Sequence, residues 1–391
     1  MDIQQSKAEA LLKNNITNVN LLGFSNIENL HILIFSLLFL IYCGTVSGNL
    51  LVMALYLVSK TLQSPMYFYI TQISLCDLLV TTDIVPVLLH TVLYGGSSMT
   101  LIGCITQFSI FVMSEASECL LLSVMSYDRY LAICNPLHYH SIMTRKFCLI
   151  SVNIIWLVAF TVMMMYGIFM CNLYFCGPHI IDHFYCELEP IMQLSCSDTS
   201  TINKLVVVIG ILNVSCPFII IVVSYVSIVI TILKIPSNTG RHKAFSTCST
   251  HLIVVSILYG TLIIVYMFTT KEQSPTLSKV LSLIYTMLIP LLNPIIYTLR
   301  NQVFKEALNK LKLVSFGRER SRKGLLSTGR WQDLEIRLWT LREFQPTLSN
   351  TGEQDIEWAT SIQCALIEDR AKTGDANPIA LPQNGNHYHS L

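Results

Sequence analysis

The sequence predicts an all-α membrane protein, a bundle of seven transmembrane helices followed by a short amphipathic helix in the cytosol. Of the 391 residues, 52% are hydrophobic and 13% are charged, whereas soluble domains have about 25% charged residues. Seven stretches are apolar over the roughly 20 residues that a membrane helix needs. Lys and Arg are concentrated in alternate links between these stretches, which is typical of multi-pass membrane proteins.

Each apolar stretch is predicted from its whole window, because several contain polar residues. Together the spans define a membrane domain over 30–300, and the two halves share no visible repeat, which argues mildly against a secondary transporter. The polar start of the chain shows no pattern of a cleavable signal peptide, so the first span is expected to direct insertion. The predicted spans are 30–58, 66–93, 101–133, 147–171, 203–233, 244–269 and 278–299.

The basic residues predict the orientation of the chain. The links after the second and fourth spans carry no Lys or Arg before Lys204, whereas the links after the first, third and fifth spans carry one, two and three. The positive-inside rule therefore places residues 1–29 outside the cell and the C-terminus in the cytosol. The net charge of +1 gives no support for nucleic-acid binding.

Two features suit the segments predicted to be extracellular. Asn15-Ile-Thr17 is an acceptor site for N-glycosylation. Four cysteines on the oxidising side favour two disulfides, but their spacing leaves the pairing open. These cysteines are Cys104, Cys176, Cys186 and Cys196.

Two cytosolic segments follow the seventh span. Residues 301–314 have apolar side chains at helical spacing between lysines, among them Phe304 and Leu308. This pattern predicts an amphipathic helix that lies on membrane lipid of the inner leaflet. Residues 315–391 are polar and rich in mixed charge, which predicts a largely disordered tail.

A charged pair marks the cytosolic end of the third span. Asp128 and Arg129 follow a long apolar run, and charges are tolerated at a membrane edge but cost roughly 3 kcal/mol or more each at its centre. The pair therefore predicts a docking site for a soluble partner. Glu118 precedes Arg129 by three helical turns, about 16 Å, so it shares that face and is expected to face the bundle interior.

Polar residues at mid-membrane are candidates for function. Asn49, Asp77, Glu118 and Asn293 are predicted at mid-span. Asp77 and Glu118 are expected either to bind a cation, Na⁺, or to form a protonated, hydrogen-bonded pair. No other cofactor and no metal site is expected.

Glu115 lies one turn outward from Glu118 and has two interpretations. In the first, it binds an amine or a strongly hydrogen-bonding ligand in an outer cavity. In the second, it is neutral and bonded to a neighbouring helix, as buried acids commonly are.

Prolines inside the fifth and seventh spans predict kinks, since Pro lacks the backbone N–H that a helix interior needs. In Leu292-Asn-Pro-Ile-Ile-Tyr297, Tyr297 lies one turn nearer the cytosol than Asn293. Together with Tyr225 it could move toward Arg129 when helices shift; the alternative is a packing kink. No catalytic constellation or phosphate-binding loop is found, so no enzyme activity is predicted.

These motifs together resemble the rhodopsin-like G-protein-coupled receptors and, within them, the odorant receptors. The similarity runs in order through nearly all of residues 20–313, and two of its segments, Met125–Cys134 and Lys243–Leu252, are close to diagnostic. The matching segments are Gly48-Asn49, Leu62–Tyr69, Ser74–Asp77, Met125–Cys134, Ser224-Tyr225, Lys243–Leu252 and Pro290–Asn301.

The resemblance implies a receptor in the plasma membrane of a sensory cilium. An odorant in an outer cavity would open the cytosolic face to a stimulatory, olfactory-type heterotrimeric G protein, and cyclic AMP would rise. It also implies disulfides Cys104–Cys186 and Cys176–Cys196. The implied activation residues are Asp128, Arg129, Tyr130, Tyr225, Asn293, Pro294 and Tyr297. The implied cavity residues are Phe108, Phe111, Val112, Glu115, Ala116, Gly210, Asn213, Tyr259, Leu262, Ile263, Tyr266, Leu283 and Thr286.

The chain departs from the family pattern in three places. Val87 stands where family members often have Lys, Glu115 is not a standard family residue, and the chain continues to Leu391. Two other functions stay open at this point. One is a rhodopsin-like receptor for a metabolite outside olfactory tissue, and the other is an ion channel or transporter using Asp77 and Glu118.

Overall fold

The apolar stretches form long helices in the computed structural model, which describes residues 17–24, 30–176, 178–268, 275–301 and 303–309. In this part of the chain, six helices are long and apolar enough to cross a membrane, and a shorter apolar helix, Cys248–Ile264, lies within the sixth span. The prediction of an all-α seven-helix bundle is confirmed. Asn15 and the predicted tail 315–391 lie outside the described residues.

The helix bounds agree closely with the predicted spans. The first four spans are His31–Val58, Pro65–Tyr94, Leu101–Cys134 and Arg145–Cys171. The fifth comprises Ser200–Gly210, a π-helical turn Ile211–Ser215 and Cys216–Leu233, and the sixth is Asn238–Phe268. The seventh comprises Pro275–Leu283, a π-helical turn Ile284–Leu288 and Ile289–Arg300. Shorter helices are Lys60–Leu62, Pro136–Ile142 and Leu188–Gln193.

Local sequence signals set several helix ends. Thr100 and Thr144 cap the third and fourth spans, each accepting a hydrogen bond from the backbone N–H three residues later, at 3.1 and 3.2 Å. Pro65 occupies the first turn of the second span, where its missing N–H costs nothing. Gly95 ends that span with φ of 73°, a conformation that favours glycine.

The predicted proline kinks take a specific form in two spans. Pro217 and Pro290 each lie just after a π-helical turn, in which a backbone hydrogen bond spans five residues. One such bond runs from the Cys216 N–H to the Ile211 carbonyl. A proline offers no N–H to the carbonyl four residues earlier, and the wider turn rearranges the bonding there. Pro294 lies within the regular helix Ile289–Arg300.

The third span is the centre of the bundle. Of its most apolar window 61% is buried, compared with 22% for the windows of the first and fifth spans. The first and fifth spans therefore present mostly apolar side chains outward, as lipid-facing helices do. Functional residues on the third span are consequently surrounded by protein along most of its length.

A small sheet covers the end of the bundle that the positive-inside rule places outside the cell, called the outer end below. The strand β1, Asn18–Leu21, pairs antiparallel with β2, Ser97–Thr100, and parallel with β3, Ile180–Ile181. Val19 and Leu21 are fully buried beneath it. The sequence analysis assigned this part of the chain to a polar tail and missed the sheet, because two alternating apolar residues are too weak a pattern for a strand.

The amphipathic helix is described over 303–309, and the rest of its predicted range, 310–314, lies outside the described residues. Phe304 is buried edge-on against Tyr67, with ring centroids 5.3 Å apart. The Tyr67 hydroxyl donates to the Asn301 side chain at 3.2 Å. These contacts fasten the start of the helix to the second span.

Candidate functional site

A cavity of about 70 Å³ lies between the outer halves of the third, fourth and fifth spans. Five of the residues predicted to line a ligand cavity do so: Val112, Glu115, Ala116, Gly210 and Asn213. Six further lining residues were not predicted. They are Cys119, Val162, Tyr166, Val206, Ile209 and Val214.

The other predicted cavity residues do not line this space. Phe108 packs edge-on against Tyr166, with centroids 5.5 Å apart, and Phe111 packs against Tyr185 and Tyr285 beneath the outer loop. Thr286 is fully buried and donates to the backbone carbonyl of its own helix.

The predicted residues of the sixth span divide between the bundle interior and its outside. Tyr259 stacks on Phe218 of the fifth span, and Leu262 belongs to the apolar core. Ile263 is 53% exposed, which is typical of a lipid-facing side chain. Leu283 packs with the cluster beneath the outer loop, and the side chain of Tyr266 lies outside the described residues. The cavity therefore uses the fourth span in place of the sixth and seventh.

The fourth-span contribution could not have been found from the sequence. Val162 and Tyr166 look like ordinary residues of an apolar span. Only the packing of that helix against the third span turns them toward the cavity.

Glu115 is the acid of the cavity wall. Among the described residues its carboxyl group has no hydrogen-bond or ion-pair partner. The charged groups close enough to act on it electrostatically are Glu187 of the outer loop and Glu118 one turn below. The described residues therefore show no hydrogen bond from Glu115 to a neighbouring helix, which the second interpretation required.

Asn293 joins the two acids at mid-membrane. Its Nδ2 donates to both carboxyl oxygens of Asp77, at 3.1 and 3.2 Å, and lies 3.4 Å from Glu118 Oε1. Asn49 links the first and seventh spans by donating to the Pro290 carbonyl at 3.1 Å. The four polar residues predicted at mid-span thus form contacts across four helices.

The Asp77 and Glu118 carboxyl groups supply oxygen ligands of the kind that hard cations prefer. However, the Asn293 amide nitrogen occupies the space between them. No group of three or more His, Cys, Asp or Glu side chains suited to a metal ion occurs in the described ranges. The amide bridges the two carboxyl groups, so a cation would have to displace it.

At the end of the third span that the positive-inside rule places in the cytosol, Asp128 is fully buried and paired with Arg129. Tyr139, on the short helix Pro136–Ile142, donates a hydrogen bond to the second Asp128 oxygen at 2.9 Å. Burial and the neighbouring Asp128 carboxylate raise the pKa of Tyr139, so its hydroxyl stays protonated and donates. The sequence analysis missed Tyr139, because nothing local distinguishes it from other loop aromatics.

The predicted activation tyrosines do not contact Arg129 through their hydroxyls. The Tyr225 hydroxyl lies 2.6 Å from Nδ1 of His251, which is fully buried. The hydroxyl of Tyr297 is buried without a hydrogen-bond partner in the described part of the chain. Tyr130 stacks on Tyr127 with ring centroids 6.2 Å apart.

The long loop after the fourth span is anchored on the third span. The disulfides Cys104–Cys186 and Cys176–Cys196 are present, with Cα atoms 5.4 and 5.8 Å apart. The Gln107 side chain accepts a hydrogen bond from the Cys186 N–H at 2.9 Å and donates to the Asp83 carbonyl at 3.0 Å. The pairing of the four cysteines in these disulfides is the one that the resemblance implied.

The same loop is fastened to the seventh span. Lys279 Nζ lies 2.5 Å from Asp182 Oδ1, and the hydroxyls of Tyr285 and Tyr185 are hydrogen-bonded to each other. Nε2 of His183 lies 3.4 Å from a Glu187 oxygen. Lys279 was not predicted as a site residue, since the positive-inside rule gives no role to a basic residue at an outer helix end.

Comparison with known proteins identifies the family. A family model described as olfactory receptor matches residues 35–314. Human olfactory receptor 10C1 is 42% identical over 295 residues, covering 75% of this chain and 95% of that protein. Human olfactory receptor 10A7 is also 42% identical, covering 75% and 93%, and mouse olfactory receptor 5AP2 is 39% identical, covering 76% and 93%. The chain belongs to the olfactory receptor family, whose members are multi-pass membrane receptors and not enzymes.

Proposed function

We propose that this protein is an odorant receptor of the plasma membrane, which binds a small molecule in the outer cavity and activates a stimulatory heterotrimeric G protein. Cyclic AMP then rises in the cell. The names of its relatives support the odorant role. We further propose that the N-terminus is extracellular, the C-terminus is cytosolic, and the receptor acts in olfactory cilia.

One observation carries the proposal: the cavity and the charged pair are on the same helix. Glu115 and Ala116 line the cavity, and Arg129 lies fourteen residues later, about 21 Å along the axis. A ligand that changes the packing of the third span against its neighbours would thus act on the helix that carries the pair. The ligand must favour the open arrangement, because equal affinity for both arrangements shifts no population.

The cytosolic contacts describe a closed arrangement. Arg129 is held by Asp128, and Asp128 is held in turn by Tyr139 of the adjoining short helix. Opening would free the guanidinium group for a G protein. The Asp77–Asn293–Glu118 contacts lie between this end and the cavity, where they tie the second, third and seventh spans together.

The test is a cyclic AMP assay in cells that carry the receptor at the surface. A panel of odorants is applied to the wild type and to Arg129→Ala, with surface amounts matched by an N-terminal tag detected on intact cells. We expect the wild type to respond to at least one odorant and the variant to lose that response. An undiminished response in the variant would refute the coupling role of Arg129, and detection of the tag only after permeabilisation would refute the orientation.

We also propose that Na⁺ can replace the Asn293 amide between Asp77 and Glu118. The two carboxyl groups already converge on one position, and a cation there would take the place of the amide N–H groups. Replacing Na⁺ by K⁺ in the medium should change agonist potency in the wild type and have no effect in Asp77→Asn. Equal potency of the wild type in both salts would exclude the site.

A further inference from the structure

The walls of the cavity combine an apolar surface with a single acid. Val112, Val162, Val206 and Ile209 contribute aliphatic side chains, and Glu115 contributes the carboxyl group. An apolar cavity with a small number of directional polar groups is the usual design of a small-molecule site. Tyr166 and Asn213 also line this cavity, and Glu115 is the one acid among its lining residues.

The Glu115 carboxyl group has no partner of its own among the described residues. The Asn213 amide in the cavity wall uses its Nδ2, which donates to the Ile209 carbonyl of its own helix at 3.2 Å. Glu115 is only partly buried, so its carboxyl group is open to the cavity. A ligand that supplies donors would give this group the partner that the described residues do not.

The ionisable groups that act on Glu115 are acids. Glu187 acts on Glu115 from the outer loop, and Glu118 lies one turn below it. At the same outer end, Lys279 is already paired with Asp182 and therefore does not neutralise Glu115. A cation in the cavity would be attracted by these acids together, whereas an anion would be repelled.

We infer that the cavity is a site for a short-chain alkylamine in its protonated form. Its ammonium group would donate to Glu115, and its hydrocarbon part would pack on the valines and Ile209. The volume of about 70 Å³ is roughly half that of an engineered cavity of about 150 Å³ that holds benzene. The small volume favours short chains over large ring systems. This inference depends on the proposed function only in taking the cavity as the ligand site.

The test uses three ligands with the same carbon chain: butylamine, butanol and butyrate. Binding to the purified full-length receptor is measured as a ligand-induced rise in its thermal unfolding temperature, and signalling is measured as cyclic AMP in cells. The key variant is Glu115→Gln, which keeps the shape and removes the charge. The matched control is Asp83→Asn, which removes an acid in the outer half of the second span that does not line the cavity.

We expect the wild type and Asp83→Asn to bind butylamine more tightly than butanol, and butyrate least. Glu115→Gln should lose roughly tenfold to a hundredfold in butylamine affinity, the range expected for a hydrogen bond between charged groups. Its affinity for butanol should change by less than about threefold. Equal losses for the amine and the alcohol, or an unchanged amine affinity, would overturn the inference.

The ranking of the three ligands on the wild type tests the inference even if Glu115→Gln does not fold, because butanol or butyrate binding as tightly as butylamine would overturn it. The two readouts also separate this inference from the proposed function. Amine binding that depends on Glu115 but raises no cyclic AMP would support the site and refute the coupling. Cyclic AMP signalling by other odorants without any amine binding would refute the site and leave the receptor function standing.

Discussion

Lys279 Nζ lies 2.5 Å from Asp182 Oδ1 and 2.7 Å from the backbone carbonyl of Gly23. One ammonium group thus connects the seventh span, the long outer loop and the segment that follows β1. The Lys279 side chain is 4% exposed, whereas that of Asp182 is 48% exposed. The lysine is therefore the partner that depends on this contact, since a buried ammonium group needs hydrogen-bond acceptors and Asp182 can be hydrated without it.

Asp182→Ala should therefore destabilise the receptor by about 1–3 kcal/mol, the cost of removing a hydrogen-bond partner from a buried charged group. Lys279→Met should be tolerated better, because it replaces the ammonium group with an apolar end of similar length. The double variant should then resemble Lys279→Met alone, since the two residues share one interaction. Thermal unfolding of the purified receptor measures all three, and simple addition of the two single effects would contradict the contact.

The outer loop also predicts a pH effect through Glu187. Burial raises the pKa of Glu187 from 4.5 to about 7, with a further contribution from Glu189. Between these values the folded receptor binds more protons at this site than the unfolded chain. The contribution of Glu187 to stability is therefore complete below about pH 4.5 and is lost as the pH rises through about 7.

His183 changes the stability of the receptor with pH in the opposite direction. Burial, together with the charge of Lys279, lowers its pKa from 6.5 to about 3, so its contribution to stability increases as the pH rises from about 3 to about 6.5. The two effects offset each other in the wild type, and Glu187→Gln removes only one. The unfolding temperature of this variant minus that of the wild type should rise between about pH 4.5 and about pH 7. A difference that stays flat over this range would show that Glu187 does not titrate as described.

Tyr139→Phe should raise basal cyclic AMP severalfold, because it removes the hydrogen bond that Tyr139 donates to Asp128 and so weakens the closed arrangement. A bond to a charged group is worth about 1.5–3 kcal/mol, which bounds the shift. Tyr127→Phe is the matched control, since the ring of Tyr127 stacks on Tyr130 and its hydroxyl has no partner in the described part of the chain. Equal basal signals in the two variants at matched surface amounts would argue against a locking role for Tyr139.

Asn293→Leu should lower the unfolding temperature, because it removes the amide that donates to Asp77 and Glu118 and leaves buried carboxyl oxygens without a donor. The expected cost is about 1–3 kcal/mol. Combining it with Asp77→Leu should cost less than the sum of the two single variants, since both remove the same contact. Strict additivity in thermal unfolding would show that the amide and the carboxyl group act independently.

Much of the fold follows from local features of the sequence. Hydropathy is a property of each window by itself, so the first span was predicted at 30–58 and is found at His31–Val58. Caps such as Thr100 and Thr144 act on backbone groups three residues away. The kink-forming prolines could also be located, although the π-helical turns before Pro217 and Pro290 depend on how each helix accommodates the lost hydrogen bond.

The composition of the site depended on packing between distant segments. The phase of the third span could be calculated, which brought Glu115 and Glu118 to the interior. The rotation of the sixth span could not be calculated from the sequence. Ile263 was expected at the cavity and instead faces outward. An almost uniformly apolar helix has no pattern that fixes its rotation, and that rotation is decided by side-chain fit against its neighbours.

The sequence by itself determined that this chain crosses the membrane seven times, carries a charged pair at the end of an apolar span, and shares the motifs of the olfactory receptor family. Only the tertiary structure decided that Asn293 lies between Asp77 and Glu118, that Tyr139 holds Asp128, and that Lys279 fastens the outer loop. The physical reason is the separation along the chain of the residues that each interaction joins. Burial in lipid acts on each stretch separately, whereas a hydrogen bond between residues as many as 256 positions apart exists only after the helices have packed.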